Sequence, residues 1–259
     1  MRVLVTNDDG YDSAGLVAVA RSLLDAGHEV VVGAPLTERS GSGSSLGTIE
    51  DGSVVPLSEK RIPELGDTQV VALDCPPAFA VIAMCSGTFG PAPDLVVSGI
   101  NPGHNTGRSV LFSSTVGAVL TARIMGISGL AISCGFEPNH RFDTAAEVAR
   151  GLVQWCAAES EGGPPLTLNV NVPDIDYAAL QGLRVTELAA RSMFSVRVAR
   201  ADDDHLVLRR EERSSGFPPG TDGAAVAEGY VSVTPLTSVG AECARLGGDH
   251  APDLPAAIR

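Results

Sequence analysis

The sequence predicts an α/β protein, a mostly parallel sheet covered by helices on both faces and followed by a β-rich extension. Three observations carry this. Strand-like apolar runs alternate with segments of helical period from the amino terminus to about residue 182. Those runs are nearly continuously apolar, as strands buried on both faces must be. After Gly182 strand patterns continue without helices of comparable length between them. A chain of 259 residues has room for one large α/β domain with an appendage. The division expected is therefore 1–182 as the α/β core and 183–259 as the β-rich extension.

The elements follow in order. "RVLVT" (2–6) is a strand, and in "AGLVAVARSLLDAG" Leu16, Val19, Ala20, Leu23 and Leu24 recur at helical spacing, with Gly27 where a helix-terminating glycine belongs. "EVVVGA" (29–34) is the second strand. From Leu36 to Thr68 the chain is rich in turn formers, with a short strand expected at "SVVPL". "VVALD" (70–74) leads into the helix "PPAFAVIAMCSG", whose prolines suit an opening turn. "DLVVSGIN" (94–101) is a strand, "STVGAVLTARIMG" (114–126) a helix closed by glycine, and "GLAISC" (129–134) a strand. Asp143 or Thr144 suits the cap of an amphipathic helix running through Trp155, and "LTLNVNVP" (166–173) is again a strand. Beyond it, "LRVTEL", "HLVLRR" and "YVSVTPL" are strand-like, separated by acidic and Gly/Pro-rich segments.

The charges narrow the function. A formal net charge of -13 makes a surface for duplex nucleic acid or anionic lipid unlikely by charge repulsion, whereas one metal ion could still reverse the field locally for a small anion. Asp8 and Asp9 interrupt any signal-peptide core, and no apolar span is long enough to cross a bilayer. The five cysteines (Cys75, Cys85, Cys134, Cys156, Cys243) form no CxxC pair and lie in apolar stretches. They read as buried structural thiols of a cytoplasmic protein.

Ligands of open parallel sheets bind outside the carboxyl ends of the strands, and three polar stretches fall there. "NDDG" (7–10) sets Asp8 and Asp9 side by side after the first strand. Two such anions call for a cation, and oxygen ligands suit Mg²⁺ or Mn²⁺, although the same tetrapeptide is also good turn chemistry. "SGINPGHNTG" (98–107) offers the amides of Asn101 and Asn105 among glycines. "FSSTVGAV" (112–119) places Ser113, Ser114 and Thr115 at a helix N-terminus, which suits phosphate as well as simple capping. The stretch "RSGSGSSLG" (39–47) is spaced GxGxxxG and lacks a following helix, so it is a mobile loop with hydroxyls rather than a dinucleotide fingerprint. No GxSxG, HExxH or GxxxxGK[ST] occurs, and Gly10 stands where DxDx[TV] needs aspartate. Of the histidines only His104 lies among these stretches.

In that order, "VLVTNDDGYDSAGL", "APLTERSGSGSSL", "LVVSGINPGHNTG", "FSSTVGA", "LNVNVP" and "AAVAEGYVSVTPL" resemble the motifs of the SurE survival proteins, over residues 3 to 236. The resemblance implies a Rossmann-like three-layer fold and a metal-dependent phosphatase acting as a 5′/3′-nucleotidase on nucleoside monophosphates. It implies one divalent cation per subunit, Mg²⁺ or Mn²⁺, on Asp8, Asp9, Ser40 and Asn101, with Asn105 and the Ser113–Thr115 segment at the phosphate. It also implies dimers or tetramers in which the carboxyl-terminal part is exchanged between subunits. The chain departs from the pattern at Ser13-Ala14-Gly15, at "CPPAFA" (75–80), at Ser114, which would add a side chain beside the phosphate, and at Arg108, which would add a charge near the cleft. Asp9 is the expected base and His104 the expected donor to the leaving group. The alternatives are a phosphatase for a specialised non-nucleotide metabolite and a non-catalytic nucleotide-binding protein.

Overall fold

The computed structural model describes residues 1–135, 140–159 and 163–237. In the first strand, β1 (Arg2–Thr6), successive side chains face opposite sides of the sheet: Val3 and Val5 enter one core and Leu4 the other. All three are fully buried, each contributing roughly 1.5–3 kcal/mol of apolar burial. Helix α1 (Ala14–Asp25) buries Leu16, Val19, Ala20 and Leu23, the stripe its spacing predicts. It is followed by β2 (Glu29–Pro35), β3 (Leu57–Lys60), β4 (Gln69–Leu73), α2 (Pro77–Cys85) and β5 (Leu95–Pro102). Next come α3 (Ser114–Ile124), β6 (Ser128–Cys134), α4 (Phe142–Glu159), β7 (Thr167–Asn171) and β8 (Leu183–Val185), then β9 (Phe194–Arg200), β10 (Leu206–Glu212), α5 (Asp222–Ala227) and β11 (Val231–Pro235).

One sheet of nine strands runs β3-β4-β2-β1-β5-β6-β7-β11-β8. Its pairings are parallel except β3–β4 and β7–β11. Helices α1 and α4 pack together on one face and α2 and α3 on the other, giving the three layers expected. From β1 the chain winds outward through β2 and β4, then returns to β5 on the other side of β1 and winds the opposite way. The strand order therefore reverses between β1 and β5, and a crevice opens outside their carboxyl ends.

The strand expected at "SVVPL" begins only at its last residue: Val54 is 90% exposed, and β3 is the segment that pairs with β4. The strands after residue 182 divide between two sheets. Those of "LRVTEL" and "YVSVTPL", β8 and β11, extend the nine-stranded sheet, while β10 pairs with β9 as a separate antiparallel hairpin. Neither β9 nor the short helix α5 was apparent from the sequence pattern. Cys75, Cys134 and Cys156 are buried and Cys85 is half-buried. Burial pushes their thiols up to about 12, 12, 11 and 11 respectively. Cys243 lies outside the described residues. Among the described residues no helix is long and apolar enough to cross a membrane.

Candidate active site

The crevice between β1 and β5 is a cleft of about 380 Å³. Asn7 shapes its floor, because its amide donates to the Gly10 carbonyl (3.0 Å) and to Ser13 Oγ (2.6 Å), closing the turn after β1. Asp8 and Asp9 then both line the cleft. Asp8 is 4% exposed, and burial raises its pKa. Asp9 is pushed up to about 7, first by burial, then by the Asp8 charge and by Glu38.

From the other switch-point strand comes Asn101. The register of β5 against β6 shifts between Ser98 and Asn101, a bulge that re-aims the strand end. The Asn101 amide nitrogen donates to the Gly103 carbonyl at 2.6 Å, so the carbonyl oxygen is the ligand atom this side chain offers to the cleft. Ser40 arrives on the loop after β2. That loop is docked, not loose as its composition suggests. Arg39 N–H donates to the Asp8 carbonyl (2.7 Å), and Ser114 Oγ donates to the Arg39 carbonyl (3.0 Å) and accepts from Ser42 N–H (2.9 Å). A Cβ on Gly117 would meet the Gly43 carbonyl oxygen at 2.4 Å, so α3 and this loop touch where only glycine fits. Arg39 itself pairs with Asp74.

The remaining expected residues separate by direction. Ser113 lines the cleft and caps α3, its Oγ accepting from Val116 N–H at 3.2 Å. Ser114 and Thr115 do not line it: Ser114 is spent on the loop just described, and Thr115 Oγ1 donates to Asp8 Oδ1 at 2.8 Å. Thr115 thus steadies a carboxylate rather than meeting a phosphate directly, because helix rotation turns it inward. Asn105 lines the cleft and is fixed by two amides from β7. Its carbonyl accepts from Asn169 Nδ2 (2.8 Å) and Asn171 Nδ2 (2.9 Å), its N–H donates to Asn171 Oδ1 (2.8 Å), and its own Nδ2 donates to Ser133 Oγ (2.8 Å). The signal for these two supports was the Asn-x-Asn alternation inside an otherwise apolar strand.

His104, expected as proton donor, has Nε2 2.9 Å from the Val172 carbonyl, so Nε2 carries the proton and gives it to that oxygen. Burial lowers its pKa, and a neutral ring tethered this way anchors the loop to the end of β7. Arg108 is exposed and does not line the cleft. The cation on its wall is Arg210 of the hairpin, and Glu38 is a third carboxylate there. Nothing in local sequence signals Arg210, because about 200 residues separate it from the acidic motif.

The fit to a cation rests on one atom. Asp9 Oδ2 is buried without a hydrogen-bond partner, a costly state that a bound cation would relieve. The donors available are two carboxylates, a hydroxyl and an amide, a set of hard oxygens that suits Mg²⁺ or Mn²⁺. Among the described residues no three His, Cys, Asp or Glu side chains gather as metal ligands, so a softer site has no candidate in them.

Known proteins resemble this chain over most of its length. The family model for the survival protein SurE matches residues 3–195. A protein of Stenotrophomonas maltophilia named 5′-nucleotidase SurE is 37% identical over 242 residues, covering 91% of this chain and 89% of that one. One of the same name from Ruthia magnifica is 37% identical over 240 residues, covering 91% and 92%. Among solved structures, the SurE protein from Aquifex aeolicus superposes with a TM-score of 0.78 at 33% identity, covering 95% of this chain and 97% of the other.

Proposed function

This chain belongs to the SurE family, and on that footing we propose that it is a divalent-metal-dependent phosphomonoesterase. Its substrates would be nucleoside 5′- and 3′-monophosphates, hydrolysed to nucleoside and phosphate. The name 5′-nucleotidase carried by its relatives supports the 5′ activity. The observation that carries the metal requirement is the orphaned Asp9 Oδ2 beside Asp8, at a switch-point crevice that also holds Ser40 and Asn101.

One Mg²⁺ or Mn²⁺ ion held by Asp8, Asp9, Ser40 and Asn101 would supply Lewis-acid polarisation of the phosphate and a more acidic water. The chain's own residues do the rest. Thr115 and the Arg39 N–H fix Asp8 from its side chain and its backbone. Ser113 presents the N-terminus of α3 to the phosphate, where the helix dipole favours negative charge. Asn105, locked by Asn169 and Asn171, orients the cleft loop against the same group. Asp9 takes the proton of the attacking water as the ester P–O bond breaks, and the leaving oxygen is protonated from solvent rather than by His104. We further propose that the protein works in the cytoplasm as a homodimer or homotetramer. The hairpin supports the latter, since Val196, Val198, Leu206 and Leu208 stand 50–68% exposed on a two-stranded sheet that has little stability alone.

The test is phosphate release from a panel of nucleoside 5′- and 3′-monophosphates with Mn²⁺ or Mg²⁺, beside a chelated sample and Asp9→Asn. Release that needs metal and is lost in the variant is expected. Metal binding without release from any nucleotide would overturn the nucleotidase reading.

A further inference from the structure

The cleft is lined by two chemically different sets of groups. The carboxylates, Ser40 and Asn101 line it, and so do Phe112, Phe194 and Arg210. A volume of about 380 Å³ is that of a site for a whole small molecule, more than a phosphate group fills. Phe112 is 66% exposed, so no packing demand accounts for a phenyl ring at that position. The Arg210 guanidinium lies 5.2 Å from the centre of the Phe194 ring, and its Nη2 is 2.8 Å from Glu212 Oε1. Two flat groups, one aromatic and one cationic, thus lie against each other on the wall of a phosphatase-like cleft.

This wall is bolted to the rest of the site. Met193 N–H donates to Thr106 Oγ1 at 2.9 Å, joining the residue before Phe194 to the residue after Asn105. Gly107, at φ +61°, comes so close to Arg191 that a Cβ would meet its carbonyl carbon at 2.8 Å. Asp222 Oδ2 accepts from Gly107 N–H (2.6 Å) while its Oδ1 accepts from Ala189 N–H (3.0 Å), clamping the cleft loop to the root of the hairpin. The hairpin therefore presents Phe194 and Arg210 at a fixed place relative to Asn105.

We propose that Phe194 and Arg210, with Phe112, form the subsite for the planar aromatic base of the leaving nucleoside and are the specificity-determining residues of this cleft. The proposal rests on the phosphomonoesterase reading and names what that reading leaves open, the part of the substrate away from the phosphate. Stacking on a ring and a guanidinium reads the face of a base rather than its hydrogen-bonding edge. All bases are accepted, with purines, which offer more face, ahead of pyrimidines.

The experiment compares kcat/KM for adenosine 5′-monophosphate with that for ribose 5-phosphate, the same ester without the base. The metal-loaded full chain is assayed beside Phe194→Leu, Phe194→Tyr and Arg210→Gln. The wild type should favour the nucleotide. Phe194→Leu should reduce the nucleotide-to-ribose-phosphate ratio by roughly 5- to 150-fold, the worth of one stacked base, and Phe194→Tyr should restore it. Arg210→Gln should reduce the ratio by a smaller factor. A ratio unchanged in Phe194→Leu and Arg210→Gln, with both substrates affected equally or not at all, would overturn the proposal and leave the nucleotidase reading intact. A wild type that hydrolyses ribose 5-phosphate and no nucleotide would overturn both.

Discussion

Replacing Asp222 by alanine should detach the cleft loop from the carboxyl-terminal half of the molecule. Asp222 is fully buried at the start of α5, and its two oxygens accept N–H groups of Gly107, Ala189 and Gly223, at 2.6, 3.0 and 2.8 Å. Gly107 and Ala189 are buried as well, so water does not take the place of the carboxylate. Each buried donor left without an acceptor costs about 1–3 kcal/mol, so these two long-range bonds together are worth about 2–6 kcal/mol. For a chain of this size that lowers Tm by roughly 5–20 °C. Asp222→Asn should fall in between, because it keeps one carbonyl oxygen but turns an NH₂ toward one of the donors. Thermal unfolding followed by circular dichroism measures the loss. Phosphate release measured at a temperature where the variant is folded should show KM raised, since Asn105 and Ser109 share the released loop. An Asp222→Ala protein that melts within about 2 °C of the wild type, a difference below 1 kcal/mol, would refute this reasoning.

Three further outcomes follow from the same geometry. Because the Asp9 carboxyl is raised to about 7 in the fold, the stability it contributes to the metal-free protein is fully present below the ordinary aspartate pKa and is lost as pH rises through 7. The loss from this group is at most about 4 kcal/mol; it shows as a falling Tm between pH 4 and 7 in chelator, and the fall is smaller in Asp9→Asn. Thr115→Val keeps the volume but removes the donor to Asp8 Oδ1, so Mn²⁺ affinity measured by calorimetry should drop about 10-fold or more, with a loss of about 1–3 kcal/mol in the stability of the metal-free protein. Val198→Asp with Leu208→Asp sets two like charges directly across the hairpin on its exposed apolar face. Light scattering should then report a smaller oligomer than that of the wild type.

What could be read in the sequence was local. Val3 to Val5 announce a doubly buried strand, and Leu16 to Leu23 a helix stripe, because burial imposes those periods on the chain itself. Asp8, Asp9 and Asn101 could be picked out because they lie at strand ends, and Ser40 through the resemblance its RSG motif carries; the cleft of the structure contains all four. The rest depends on partners distant in sequence. "LSEK" carries no strand signal of its own and is a strand because β4 offers it an edge, whereas the apolar "SVV" before it has no such partner. Ser113, Ser114 and Thr115 look alike as three hydroxyls at one helix start. Rotation of about 100° per residue sends one to the cleft, one to the Ser40 loop and one to Asp8. His104 sits within the right motif, yet the Val172 carbonyl decides what its ring does. Glu38 and Arg210 become meaningful only when the fold brings their segments to one crevice, and Asp222 only when it meets the buried loop behind that crevice.

The most direct measurement is a titration of chelator-stripped protein with Mn²⁺ while phosphate release from adenosine 5′-monophosphate is followed in the same samples. The account predicts no release from the stripped protein and a saturable rise that levels off at one Mn²⁺ per chain. Asp8→Asn should bind Mn²⁺ more weakly and recover only a small part of that rate. Full release from protein held in excess chelator, or from Asp8→Asn at the wild-type rate and Mn²⁺ dependence, would contradict a metal centre on Asp8 and Asp9.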